Sequence, residues 1–128
     1  NLEYIPQISY EQLPGHLAGF DAAIIPFQLT PLTLATNPLK LYEYFACGLP
    51  VVSTRLPEVE RYGDLVYTAT GHDEFLAQLD RAAAELDPTL RTRRQQVAAN
   101  ETWLARCHQI LHTLDRLQPT AAFSANSV

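Results

Sequence analysis

The sequence predicts an α/β domain with a mainly parallel sheet. Short runs rich in branched apolar residues, as in 21–27 and 49–54, alternate along the chain with amphipathic stretches long enough for helices. Strands separated by helices favour right-handed βαβ connections, which join parallel strands. The chain has 128 residues, 47% of them hydrophobic, which suits one domain with one apolar core.

The predicted elements follow one another in the order of such a fold. Strands are predicted at 2–5, 21–27, 49–54 and 64–69. Helical stretches are predicted at 9–20, 38–47, 72–86 and 101–117, with a short helical turn in 57–63. Threonines and a proline make 28–37 a loop, and 118–128 lacks a hydrophobic period, so we expect a flexible tail there.

The helix at 38–47 has the clearest boundaries in the sequence. Asn37 is a favourable N-cap, Pro38 suits the first helical position, and Gly48 follows the predicted end. The loop before this helix leaves the carboxyl end of a predicted strand, which is where open parallel sheets bind ligands. We therefore expect a binding site at the start of this helix.

The first turns of this helix carry two charges that suit a nucleoside diphosphate. Free backbone N–H groups of Leu39 and Lys40, together with the Lys40 charge, would hold a phosphate. Glu43 lies about 60° from Lys40 around the helix, where its carboxylate could accept two hydrogen bonds from the diol of a ribose. The alternative is a plain surface pair between Lys40 and Glu43 at spacing i,i+3.

The stretch "FDAAIIPFQLTPLTLATNPLKLYEYFACGLPVVSTRLPEV" resembles the nucleotide-sugar half of GT-B glycosyltransferases, of the group 1 or family 4 type that acts in bacterial cell-surface polysaccharide synthesis. In that family a strand ending in proline, a loop, and a helix with a glutamate before "AxGxPVV" recur in this order. The resemblance extends over about 1–117. It implies a Rossmann-like parallel sheet with helices on both faces, as part of the C-terminal domain of a GT-B fold.

The resemblance also implies roles for individual residues. Glu43 would bind the ribose hydroxyls of the donor, and Ile8 falls where the backbone of the family meets the nucleobase. The residues that would meet the diphosphate and the transferred sugar are Asn37, Pro38, Leu39 and Lys40.

One position departs from the family pattern. The first glutamate of its E-x7-E motif falls on Ala35, whose methyl group cannot bind a sugar hydroxyl. We expect Thr36, Asn37 or Lys40 to take over that contact.

The implied reaction transfers a sugar, of hexosyl type, from a UDP- or GDP-linked donor to a hydroxyl of a sugar or lipid-linked acceptor. The resemblance further implies retention of the anomeric configuration without an essential metal or cofactor. It places no catalytic residue in this chain. The leaving diphosphate would be stabilised by the helix start and Lys40.

The resemblance implies that an acceptor domain and the first two strands of this domain lie outside these 128 residues. In the sheet order 3-2-1-4-5-6, residues 2–5 would form strand three and 21–27 strand four, with the absent pair between them. We therefore expect a donor-binding domain over 1–117, with 101–117 crossing to the other domain. The isolated chain should be marginally stable and inactive.

Charge and cysteine content restrict the partners and the compartment. The net charge is −5 and Lys40 is the only lysine, which argues against a nucleic-acid surface. Two cysteines form no disulfide framework, so we expect a cytoplasmic protein. The one basic cluster, at 91–94, predicts either a solvated helix face or peripheral contact with the inner face of an anionic membrane.

Two other functions remain open from the residues alone. A flavodoxin-like binding or signalling domain without glycosyl transfer would share the fold. A phospho-acceptor receiver needs an aspartate at the carboxyl end of a strand, whereas Asp21 lies at the start of one. A non-catalytic relative that only binds a nucleotide sugar or a partner would share the site.

Overall fold

Three parallel strands form the sheet of the computed structural model, which describes residues 2–117. The strands are β1 (Ala23–Ile25), β2 (Val51–Thr54) and β3 (Val66–Ala69), in the order β1-β2-β3. Val51 is the Cα partner of Ala23 on one side and of Val66 on the other. The prediction of an α/β fold with a parallel sheet is confirmed.

Seven α-helices surround this sheet in the described residues. They are α1 (Leu13–Leu17), α2 (Pro31–Leu34), α3 (Leu39–Ala46), α4 (Pro57–Glu60), α5 (His72–Ala83), α6 (Pro88–Asn100) and α7 (Trp103–Leu117). Short 3₁₀ turns lie at Tyr10–Gln12 and Gly63–Leu65.

Helices cover both faces of the sheet, as the resemblance implied. On one face α3 buries Leu41 and Phe45 against Ile25 and Val51, and α6 packs over α3. Successive strand side chains point to opposite faces, so Val52 belongs to the other face, where α5 contacts β2 and β3. The α3 face holds the main apolar core, and it fixes the position of α3 relative to the strand ends.

The predicted strand at 2–5 is wrong. These residues form no strand, and their side chains are exposed. A strand needs a ladder partner, and none pairs with 2–5 in the described residues. The outer edge of β1 has no strand beside it in the described residues, and Ile24 in its centre is 45% exposed.

Two other predicted segments are more finely divided than expected. The helical stretch predicted at 9–20 splits into the turn at Tyr10–Gln12 and α1, with Pro14 near the start of α1. The predicted loop 28–37 contains α2, whose first turn is closed by a hydrogen bond from the Thr33 N–H to the Thr30 hydroxyl at 3.2 Å. Pairs of threonines commonly close such local turns.

The C-terminal third of the described chain is entirely helical apart from short connections. No element was predicted at 88–100, where the structure has α6. Asp87 is the N-cap of this helix and accepts a hydrogen bond from the Thr89 N–H at 2.8 Å. The apolar stripe predicted on the last helix is present on α7, but its large side chains are exposed. The predicted tail at 118–128 lies outside the described residues.

Within residues 2–117, no helix combines the length and apolar character needed to span a membrane.

Candidate functional site

Helix α3 begins one residue later than predicted, with Pro38 rather than Asn37 as its N-cap. Pro38 keeps an extended conformation (φ −74°, ψ 113°), and its carbonyl accepts from the Leu41 N–H at 3.0 Å. The Asn37 side chain does not cap the helix because its Oδ1 accepts a hydrogen bond from the Tyr42 hydroxyl at 3.1 Å. The N–H groups of the next two residues, Leu39 and Lys40, have no acceptor inside the helix.

The end of α3 agrees with the prediction. Gly48 has a positive φ of 74°, which glycine adopts without strain. Its N–H donates to the Phe45 carbonyl at 2.8 Å, and the Leu49 N–H donates to the Tyr44 carbonyl at 3.0 Å. This paired pattern is a Schellman motif, and it leads the chain directly from α3 into β2.

The two charged residues of the predicted site differ in environment. Lys40 is exposed, whereas Glu43 is half-buried. No ion pair joins them in the part of the chain that the structure describes. The simple surface pair, the alternative raised by the sequence, is therefore absent from that part.

A cleft of about 750 Å³ lies beside α3 and brings together three of the predicted site residues. Asn37, Leu39 and Glu43 line one side of it. The remaining lining residues are Tyr10, Tyr42, Ala46, Gln95, Ala98, Ala99, Glu101, Thr102, Trp103 and Arg106, most of them on α6, on α7 and between these helices.

Four predicted site residues lie outside the lining of this cleft. They are Ile8, Thr36, Pro38 and Lys40. Pro38 is buried, and Ile8 is half-buried two residues before the cleft residue Tyr10. The Thr36 hydroxyl donates to the Leu32 carbonyl at 3.0 Å, which holds it against α2.

Residues that the sequence analysis missed form a polar network at the wall of the cleft. Arg106 donates from Nη2 to Glu101 Oε2 at 3.0 Å and to the Tyr42 hydroxyl oxygen at 3.3 Å. The Tyr42 and Tyr62 hydroxyl oxygens lie 3.0 Å apart. Because Tyr42 gives its one proton to Asn37, Tyr62 is the donor of that bond. No local sequence pattern could show this, since Arg106 lies 64 residues after Tyr42.

Tyr62 is held in its neutral form by this environment. Burial raises the pKa of Tyr62 above its ordinary value, and the hydrogen bond to Tyr42 raises it further. The Tyr62 ring also packs edge-on against Phe45 of the core, with centroids 5.6 Å apart. The network is thus anchored in the core through Tyr62.

A second cleft, of about 440 Å³, lies at the carboxyl ends of the three strands. Its lining includes Phe27, Thr54 and Gly71, each of which lies at or just beyond the end of a different strand. The Thr54 hydroxyl donates to the Phe27 carbonyl at 2.8 Å and ties the loop after β1 to β2. None of the predicted site residues lines this cleft.

Comparison with known proteins identifies the family of this chain. A family model described as "Glycosyl transferase-like" matches residues 1–112. The chain belongs to this glycosyl transferase-like family. The resemblance to a glycosyltransferase drawn from "NPLKLYEYFACGLPVV" and its surroundings is thereby confirmed.

A named relative of this glycosyl transferase-like chain supports the same assignment. A protein of Bacillus subtilis (strain 168), named as a teichuronic acid biosynthesis glycosyltransferase, TuaH, is 29% identical to it over 106 residues. The match covers 79% of the chain and 27% of that protein, so the chain spans about a quarter of the length of this relative. No solved structure gave a significant match.

The basic cluster of this glycosyl transferase-like chain is only partly the solvated helix face that the sequence predicted, since Arg91 and Arg93 are exposed and Arg94 is not. Arg94 is fully buried, and Arg93 forms two hydrogen bonds to Asp64, at 2.5 and 2.8 Å. The side chain of Arg91 packs against Gly48 at the end of α3. The interpretation as an open basic face was wrong for Arg94, because its charge is neutralised by Glu85 inside the fold.

Proposed function

We propose that this chain is the donor-binding part of a glycosyltransferase that moves a sugar from a nucleoside diphosphate to a hydroxyl acceptor. The observation that carries the proposal is the placement of Glu43. Its half-buried carboxylate lines the cleft together with Asn37 and Leu39, and no ion pair in residues 2–117 occupies it. Family membership supports glycosyl transfer in general.

The diphosphate would bind at the start of α3. The N–H groups of Leu39 and Lys40 point out of the helix, and the positive end of the helix dipole lies there. The exposed Lys40 ammonium adds a full charge close to the same position. Charge that develops on the leaving diphosphate would be stabilised by these preorganised groups.

The ribose would bind one turn further along the helix. Glu43 lies four residues after Leu39, a rise of about 6 Å along the axis. A nucleotide spans a comparable distance between its diphosphate and its ribose diol. An ionised carboxylate has two acceptor oxygens, so it can bind both hydroxyls of the diol at once.

The finer description of the reaction belongs to the same proposal. The donor would be a UDP- or GDP-linked hexose, transferred with retention of configuration and without a metal or cofactor. The acceptor would be a hydroxyl of a sugar or lipid-linked intermediate in cell-surface polysaccharide or glycolipid synthesis, on the cytoplasmic side of the membrane. Its support is the resemblance of the α3 segment and the name of the Bacillus subtilis relative. We assign no catalytic residue to this chain.

A thermal melt with and without UDP, GDP and ADP tests this proposal. A nucleotide at ten times its dissociation constant adds about 1.4 kcal/mol to stability, which raises the midpoint by several degrees in a domain of this size. We expect one of the three to do so, and Glu43→Gln to abolish the response. Glu60→Gln is the matched control, since Glu60 pairs with Arg55 on the surface outside the cleft. A cooperative melt that none of the three nucleotides shifts would contradict the proposal.

A further inference from the structure

A chain of hydrogen bonds connects α7 to the start of α3. It runs from Arg106 through the Tyr42 hydroxyl, at 3.3 Å, to the Asn37 side chain, at 3.1 Å. We propose that Arg106 and Tyr42 are positioning residues for the donor, which hold the Asn37 amide with its NH₂ group available to an oxygen of the ligand. This inference rests on the proposed function.

The hydrogen-bonding capacity of the Tyr42 hydroxyl is fully used. A phenol has one proton and accepts two further bonds. The proton goes to Asn37 Oδ1, while the oxygen accepts from Arg106 and from Tyr62 at 3.0 Å. Arg106 can only donate and Asn37 Oδ1 can only accept, so the Tyr42 proton goes to Asn37 and Tyr62 supplies the remaining bond.

Arg106 is itself held from two sides. Glu101 accepts from Nη2 at 3.0 Å, and the guanidinium carbon lies 5.7 Å from the centroid of the Tyr42 ring. The side chain of Arg106 is 37% exposed and that of Glu101 is 27% exposed, so both are partly withdrawn from solvent. Arg106 therefore contacts both the ring and the hydroxyl of Tyr42. These two contacts together restrain the orientation of the Tyr42 side chain.

This arrangement determines which end of the Asn37 amide is available. Because Oδ1 accepts the Tyr42 proton, that end of the amide faces Tyr42, and the NH₂ group is directed elsewhere. An NH₂ group donates hydrogen bonds, so it suits a hydroxyl or phosphate oxygen of the donor. Ala35 leaves the sugar without the carboxylate acceptor of the family motif, and an amide donor on the neighbouring loop would supply a different contact.

The inference is tested by nucleotide affinity and by the NMR signals of the Asn37 side-chain amide. Tyr42→Phe removes the hydroxyl but keeps the ring, and Arg106→Gln removes the guanidinium. Asn37→Ala removes the amide that both residues are proposed to position. Two matched controls change residues outside this network. Tyr67→Phe removes a hydroxyl that donates to Glu85, and Arg93→Gln removes a surface arginine that pairs with Asp64. Affinity is measured with UDP, GDP and ADP as probes, and the NMR signals are recorded without ligand.

We expect Tyr42→Phe and Arg106→Gln each to weaken nucleotide binding about threefold to tenfold, the effect of one lost hydrogen bond. Both should shift the Asn37 amide signals in the unliganded protein, and neither control should do so. In the Asn37→Ala background the Tyr42→Phe change should cause no further loss of affinity, because its effect passes through Asn37.

Two affinity results would overturn the inference while leaving the proposed function intact. One is unchanged affinity in Tyr42→Phe when wild type binds and Glu43→Gln does not. The other is a loss of nucleotide affinity on Tyr42→Phe that is equally large in the wild-type and the Asn37→Ala backgrounds. Asn37 amide signals that stay fixed in both variants would overturn it as well, whatever the nucleotide does. A wild type that binds none of the three nucleotides overturns the proposed function, and with it the donor role of Asn37.

Discussion

Arg94 and Glu85 form a bidentate ion pair inside the fold. Nη1 and Nη2 of Arg94 each lie 2.6 Å from a carboxylate oxygen of Glu85, with side chains 0% and 7% exposed. Arg94 Nε also donates to the Leu65 carbonyl at 2.9 Å, and the Tyr67 hydroxyl donates to Glu85 at 2.8 Å. In the described residues every buried side-chain polar atom has a partner. The pair therefore joins α6 to the connection after α5 and to β3.

Removal of one partner of this pair should be strongly destabilising. Arg94→Met leaves the Glu85 carboxylate buried without its counter-ion, and we expect a loss of about 3–5 kcal/mol in the free energy of unfolding. The double variant Arg94→Met/Glu85→Gln should lose less, because no uncompensated charge remains. Urea denaturation followed by circular dichroism measures both. A loss in the double variant as large as in the single one would show that packing, rather than charge, dominates.

Gly48→Ala should destabilise the protein through the end of α3. The positive φ of 74° costs an alanine about 1–2 kcal/mol, and the added Cβ would lie 2.5 Å from Cγ of Arg91, which must then move. Gly15→Ala is the control, because Gly15 is in α1 and an added Cβ meets nothing within 4 Å. Thermal unfolding compares the two variants. Equal midpoints for both would contradict the prediction.

Stability should fall in acid partly through Asp87. The Thr89 N–H donates to its carboxylate at 2.8 Å and lowers the pKa of Asp87 below its ordinary value of 3.8. The unfolded chain then binds a proton more readily than the folded one, so this contribution is present above about pH 4 and is lost as the pH falls further. Asp87→Asn keeps a capping oxygen but does not titrate. Unfolding midpoints between pH 3 and pH 7, roughly the range of carboxylate titration, should vary less in this variant than in wild type.

Lys40 should contribute to nucleotide affinity through charge alone. On the proposed function, Lys40→Gln removes one exposed positive charge near the diphosphate, and we expect about threefold weaker binding at low salt. Added salt screens an exposed charge, so the difference between wild type and variant should shrink as ionic strength rises. Calorimetric titration at two salt concentrations measures this. A difference that persists in high salt would indicate a direct, desolvated contact instead.

The two ends of α3 and the segment 2–5 show which features a local sequence pattern can predict. The end of α3 was predicted correctly because Gly48 reports a local backbone requirement, namely a positive φ. The start was displaced by one residue because the Tyr42 hydroxyl donates to Asn37 Oδ1 and holds the Asn37 side chain away from the helix end. The strand at 2–5 was wrong because apolar pattern alone cannot supply a partner for a ladder.

The sequence by itself determined the α/β class, the parallel strand order around β2, the boundary at Gly48 and the similarity to glycosyltransferases. The boundary at Gly48 depends on a local backbone preference, and the other three depend on the alternation of elements and the motifs along the chain. Only the tertiary structure decided the burial of Arg94 and the contact between Arg106 and Tyr42. Arg94 lies 29 residues from its partner Leu65, and Arg106 lies 64 residues from Tyr42. Contacts at such separations depend on how α6 and α7 pack against the rest of the fold, which no local pattern encodes.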